Sequence, residues 1–115
     1  MNTPEKEFQQ QWSALLTQLG KQFGEELDYD GIIFLIGLQE LGKGKIQLKK
    51  DEKLGVMHIA VCKLLSQYNY YRYIGLDEDG WPHYEPTDEL PYLSAIQQHK
   101  LIKEAILSYF KDQDL

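Results

Sequence analysis

The sequence is poor in the residues that announce chemistry most directly. Cys62 is its single cysteine, so no intrachain disulfide can form, and the chain is expected in a reducing cytoplasm. Arg72 is its single arginine, and twelve bases stand against eighteen acids for a net charge of −6. A nucleic-acid surface needs clustered guanidinium and ammonium groups to displace counterions from phosphate, so nucleic acid is excluded as an expected partner. The longest run without a polar side chain, Gly31 to Leu38, falls far short of the ~20 residues that cross a bilayer, and no membrane association is expected. The opening residues, Met-Asn-Thr-Pro-Glu-Lys-Glu, contain no apolar stretch of the kind a secretory signal requires.

Catalytic signatures are missing as well. The chain has no Cys-x-x-Cys, no His-Glu-x-x-His and no serine nucleophile elbow, which leaves no motif for zinc hydrolysis or acyl transfer. Gly42-Lys43-Gly44-Lys45 has the composition of a phosphate cradle without the spacing of a Walker loop, and it follows an expected helix where that loop needs a strand. It reads as a helix C-cap. No repeat or low-complexity tract is present, no cofactor is expected, and the balance of signals points away from an enzyme.

What the chain does have is the composition of one globular domain over residues 1–115, with 43% hydrophobic and 26% charged residues. Thr3 followed by Pro4 is a helix start. Phe8, Trp12, Leu15, Leu16, Leu19 and Phe23 then recur at helical spacing, so helix 1 is predicted over about 4–22, with Gly20 or Gly24 as its stop. Asp28 and Asp30 precede the apolar run at 31–38, which periodicity alone allows as strand or helix. Either aspartate can cap a helix, Gln39-Glu40-Leu41 continues one, and Gly42 with Gly44 closes it, so the prediction is helix 2. Such a helix is apolar all round, which makes it the expected hydrophobic centre of the domain or part of a homodimer interface.

Lys43 to Lys53 reads as a basic connection or short edge strand. Asp51 and Glu52 suit the start of helix 3, predicted to run to about Gln67 with Leu54, Met57, Val61, Leu64, Leu65 and Tyr68 as its buried stripe. Gly55 inside this pattern implies a close backbone approach or a helix that begins after it. Residues 69–76 are rich in strand formers, and Asp77-Glu78-Asp79-Gly80 is the chemistry of a three-residue hairpin loop with a left-handed glycine. Pro82 cannot donate to a ladder, so the second strand should be an edge. Ser94 with Gln97 is a capping box for helix 4, about 95–111, with Ile96, Ile102, Ala105, Ile106, Tyr109 and Phe110 as its apolar face. The expected fold is therefore mostly α, four helices with a β-hairpin at about 70–85 between helices 3 and 4; α+β is the alternative class.

Two constellations are candidates for function. Residues 77–89 hold six acids and no Lys or Arg, which equals the whole net charge, and the same stretch contains Trp81, His83 and Tyr84. Aromatic anchors ringed by carboxylates can take a basic or aromatic protein segment, so Asp77, Asp79, Trp81, His83, Tyr84 and Glu85 are the expected partner-binding residues. Strand alternation would place Trp81, His83 and Glu85 on one face and Tyr84 on the other. The second constellation is His58 and Cys62, four apart on helix 3, which with His83 or His99 could form a soft metal site for a metal-dependent enzyme or sensor. The favoured expectation is a small cytoplasmic interaction or adaptor domain that uses the acidic, aromatic hairpin.

Overall fold

The computed structural model describes residues 4–24, 27–43 and 47–112. Four helices, α1 (Pro4–Phe23), α2 (Tyr29–Leu41), α3 (Lys50–Ser66) and α4 (Ala95–Asp112), carry between α3 and α4 the strands β1 (Tyr71–Leu76) and β2 (Pro82–Pro86). The fold is mostly α with a two-stranded antiparallel hairpin, as the sequence predicts. No helix among the described residues is long and apolar enough to cross a membrane.

Helix boundaries follow from backbone chemistry. Gly24 takes a φ of +74° and donates to the Gly20 carbonyl at 2.9 Å, so the second of the two candidate glycines ends α1. The expected Thr3 cap lies outside the described residues. Asp28 caps α2, its Oδ1 accepting from the Gly31 amide at 2.7 Å, and left-handed Gly42 closes the helix by donating to the Leu38 carbonyl at 3.1 Å. These two caps resolve the helix-or-strand ambiguity of the apolar run. Gly44 is outside the described residues. At α3, Glu52 Oε1 accepts from the Lys49 amide at 3.0 Å, satisfying a donor that no intrahelical carbonyl can reach. The reciprocal bonds of Ser94 and Gln97, at 3.0 and 3.2 Å, complete the expected capping box of α4.

The hub of the packing differs from the expectation. α2 is the most apolar helix, yet α3 is the element that touches α2, α4, β1 and β2. Ile32, Ile33, Ile36 and Leu41 of α2 are buried within one chain, so its apolar character does not require a second copy to cover it. Gly37 explains how α2 seats so closely: a Cβ there would stand 2.1 Å from the Val56 carbonyl oxygen of α3.

Three details of the expected stripes are corrected. In α3, Leu54 is 68% exposed, while Val56, Ile59 and Ala60 are buried, because packing on several sides replaces the single buried face that periodicity assumes. Ile96 is 83% exposed, since α4 reaches the core only from about Leu101 onward. Phe23, at the last turn of α1, is 45% exposed. The segment before α3 is irregular at residues 47–49, with no strand, and α3 already begins at Lys50. Gly55 therefore lies inside the helix, where a Cβ would approach the Trp81 ring at 3.4 Å. That contact seats the hairpin on the helix.

Candidate functional site: the hairpin and the helix beneath it

The loop between the strands is built as its sequence predicts. Gly80 N–H donates to the Asp77 carbonyl at 3.0 Å, Asp77 N–H donates to the Trp81 carbonyl at 2.9 Å, and Gly80 has a φ of +83°. Asp77 Oδ1 accepts from the Asp79 and Trp81 amides, each at 2.9 Å. Its Oδ2 lies 2.8 Å from His83 Nε2. An ionised carboxylate only accepts, so this imidazole nitrogen carries the proton. The His83 bond, with the two backbone amides, holds the Asp77 carboxyl below its ordinary range. Lys43, just past the C-cap of α2, donates to the Asp79 carbonyl and ties the loop to the helices.

β1 and β2 pair as Tyr71 with Pro86, Arg72 with Glu85 and Tyr73 with Tyr84; the register then slips, so that Gly75 faces His83 and Ile74 is bulged. Arg72 forms an ion pair with Glu85 across the ladder. Tyr73 and Tyr84 meet edge to face with centroids 5.6 Å apart.

The facing of the aromatics corrects the alternation. Trp81 packs against the Leu41, Val56 and Ile59 cluster, on the same helix side as half-buried Tyr84, while His83 is exposed. Trp81 precedes the first residue of β2 and belongs to the turn, where strand alternation does not operate. Burial pushes the Tyr84 phenol up to about 12, with Glu40 and Cys62 contributing in the same direction. Trp81, Pro82 and Tyr84, together with His58 and Ile59 of α3, line a crevice of about 220 Å³. A larger open groove of about 850 Å³ lies elsewhere, between α1 and α2 at Leu16, Gly20, Leu27 and Gly31.

The second constellation is only partly assembled. His58 Nε2 and Cys62 Sγ are 3.4 Å apart. Cys62 is buried, and burial pushes its thiol up to about 11, so at neutral pH it is protonated and lacks the thiolate that nucleophilic chemistry uses. His83 is held by Asp77, and His99 stacks on Tyr29 with centroids 4.1 Å apart. Among the described residues no three His, Cys, Asp or Glu side chains are grouped to hold a metal ion.

Sequence reasoning did not single out the outer residues of β1. Tyr73, Ile74 and Leu76 are 53%, 55% and 63% exposed, although all are strand formers in a small protein. The signal available was the hairpin itself: a strand paired on one side only and resting on one helix leaves side chains in water. It also missed Glu40, whose Oε2 accepts from buried Tyr109 at 2.8 Å; a carboxylate directly after the apolar run, in the last turn of the most apolar helix, was the visible clue.

No protein-family model, curated protein or solved structure matches this chain.

Proposed function

We propose that the chain is a small cytoplasmic protein-interaction domain that presents its hairpin to a partner. One observation carries this reading: Tyr73, Ile74 and Leu76 are each more than half exposed on a single short strand, immediately before the acidic loop Asp77-Glu78-Asp79. Apolar surface left in water beside charge of one sign is the arrangement of a recognition patch, with apolar contacts for affinity and charge for selection and steering. Trp81 and Tyr84 are its supports. They rest on α3 and hold the strand outward, so their removal disturbs the platform and not the contact alone. The scaffold suits the role, because Trp81 and Lys43 tie the loop to the helices and reduce the ordering cost of binding.

A photoreactive residue at position 76, compared with one at exposed position 104 on α4, tests the reading in cells of the source. The expected result is a discrete cross-linked protein from position 76 alone, lost when Ile74→Lys is added while helical circular dichroism is unchanged. Equal cross-linking from both positions, or none from either, would refute it.

A further inference from the structure

The two outer edges of the hairpin are chemically unlike, and the difference falls in a regular pattern. In an antiparallel ladder, residue pairs that exchange backbone hydrogen bonds alternate with pairs that do not, and the latter point their N–H and C=O groups away from the partner strand. The Thr87 amide donates to the Tyr70 carbonyl at 3.0 Å, so that pair is of the bonded kind. Tyr71 with Pro86 and Tyr73 with Tyr84 are then of the outward kind. At the other end, the Asp77 amide donates to the Trp81 carbonyl, which makes Leu76 with Pro82 outward as well.

Both prolines of β2 therefore occupy positions whose amides would face outward. The outer edge of β2 lacks those two donors, a common way to protect a strand edge from further pairing. β1 contains no proline. Its outer edge keeps the Tyr71 and Tyr73 amides and carbonyls, flanked by the exposed side chains of Tyr73, Ile74 and Leu76. The bulge at Ile74 limits regular pairing to a short stretch before it.

Charge selects the occupant. Arg72, the only cation on either strand, is paired with Glu85, and Asp77 is held by His83. Among the described residues no ion pair engages the carboxylates of Glu78 or Asp79, and Lys43 meets only the Asp79 main-chain carbonyl. A second copy of the chain would bring no spare cation on its strands to meet that loop, since its Arg72 is held by Glu85 in the same way. An extended segment carrying Lys or Arg would bring the complementary charge.

The geometry points to β-strand addition at the outer edge of β1: a short extended segment of a partner protein pairs with Tyr71–Tyr73, sets apolar side chains on Ile74 and Leu76, and places a Lys or Arg against Glu78 and Asp79. This rests on the interaction reading above and specifies its mode.

The test pans a random dodecapeptide display library against the full chain and resynthesises the selected peptides with and without N-methylation of alternate backbone amides. Methylation removes main-chain donors while the protein stays intact. The expected result is peptides in which apolar residues alternate and Lys or Arg is enriched, with binding weakened about tenfold or more by methylation in one of the two phases, and weakened again by Glu78→Gln with Asp79→Asn. Peptides that lose binding on Leu76→Lys but are indifferent to methylation would overturn strand addition and leave the interaction reading standing. Failure to select any peptide sensitive to Leu76→Lys would overturn both. A free protein that is dimeric, with the Tyr71 and Tyr73 amides already protected from exchange, would also overturn the inference, because the edge would be occupied by a second copy.

Discussion

Tyr109 of α4 donates its phenol hydrogen to Glu40 Oε2 of α2 at 2.8 Å, and Lys63 of α3 stands 4.0 Å from Oε1 of the same carboxylate. Three helices thus converge on one side chain that retains 22% of its exposure. Tyr109 itself is buried to 4%, so its hydroxyl has little access to water and depends on Glu40 for a partner. Substitution of Tyr109 by Phe should cost about 1.5 kcal/mol, the range for a hydrogen bond to a charged group. Urea denaturation should show a lower midpoint with an unchanged slope.

Alkaline pH should act through the same group and others buried like it. Burial is the leading cause that raises the phenols of Tyr29 and Tyr84 to about 12 and that of Tyr109 further still, from an ordinary value of 10.0. The folded state keeps protons that the unfolded chain releases above about pH 10 from these phenols and above about pH 9 from buried Cys62, so stability is intact below about pH 9 and falls as pH rises through the folded values. Denaturation curves taken from about pH 9 to 12 should show this decline, and Tyr109→Phe should make it shallower. A stability independent of pH across that window would contradict the burial of these rings.

At Gly37 the expectation is steric. A methyl group there would lie 2.1 Å from the Val56 carbonyl oxygen and 2.6 Å from its Cγ1, and backbone cannot rotate away as a side chain can. Gly37→Ala should destabilise by about 3 kcal/mol, the upper part of the usual overpacking range, despite the better helix propensity of alanine. Gly24→Ala meets nothing within 4 Å and should cost only the ~1 kcal/mol of a left-handed non-glycine residue. Thermal melts of the two variants rank them directly.

Asp77 should control the order of the hairpin loop. Its Oδ1 accepts two amides and its Oδ2 holds His83. Asp77→Ala removes all three bonds and should speed amide exchange at Asp79 and Trp81. Asp77→Asn keeps an oxygen for the amides and should fall between. The Asp77 carboxyl is held below its ordinary value of 3.8, so the loop order it supports is present above that pH and is lost as pH falls through the lower folded value. Proton NMR of the two loop amides against pH reads this without unfolding the helices.

Much of the fold was legible from the chain because its signals are local. Asp28 before α2, Gly42 after it, the Ser94 and Gln97 box, and the Asp77–Gly80 loop each act through backbone donors and acceptors a few residues away. Such bonds need no knowledge of the remainder of the chain, and all of them form where the sequence places them. Helical periodicity likewise found the buried faces of α1 and of the second half of α4, where one side meets the core.

Where several elements compete for a residue, local signals gave out. Hydrophobic attraction has no direction, so an apolar side chain on α3 can be buried by α2, by the hairpin or by α4, and Leu54 is left in water while Val56 and Ile59 are enclosed. Trp81 joins Tyr84 on the helix side because α3 offers Gly55 beneath its ring, a partner 26 residues away in sequence. The lone thiol, the helix caps, the acidic loop and the prolines of β2 were all readable in the amino acids. That the prolines remove outward donors from one edge of the hairpin while the other keeps them depends on strand register, and that Glu40 binds Tyr109 depends on three helices arriving at one point. Both are long-range facts, set by how the elements pack.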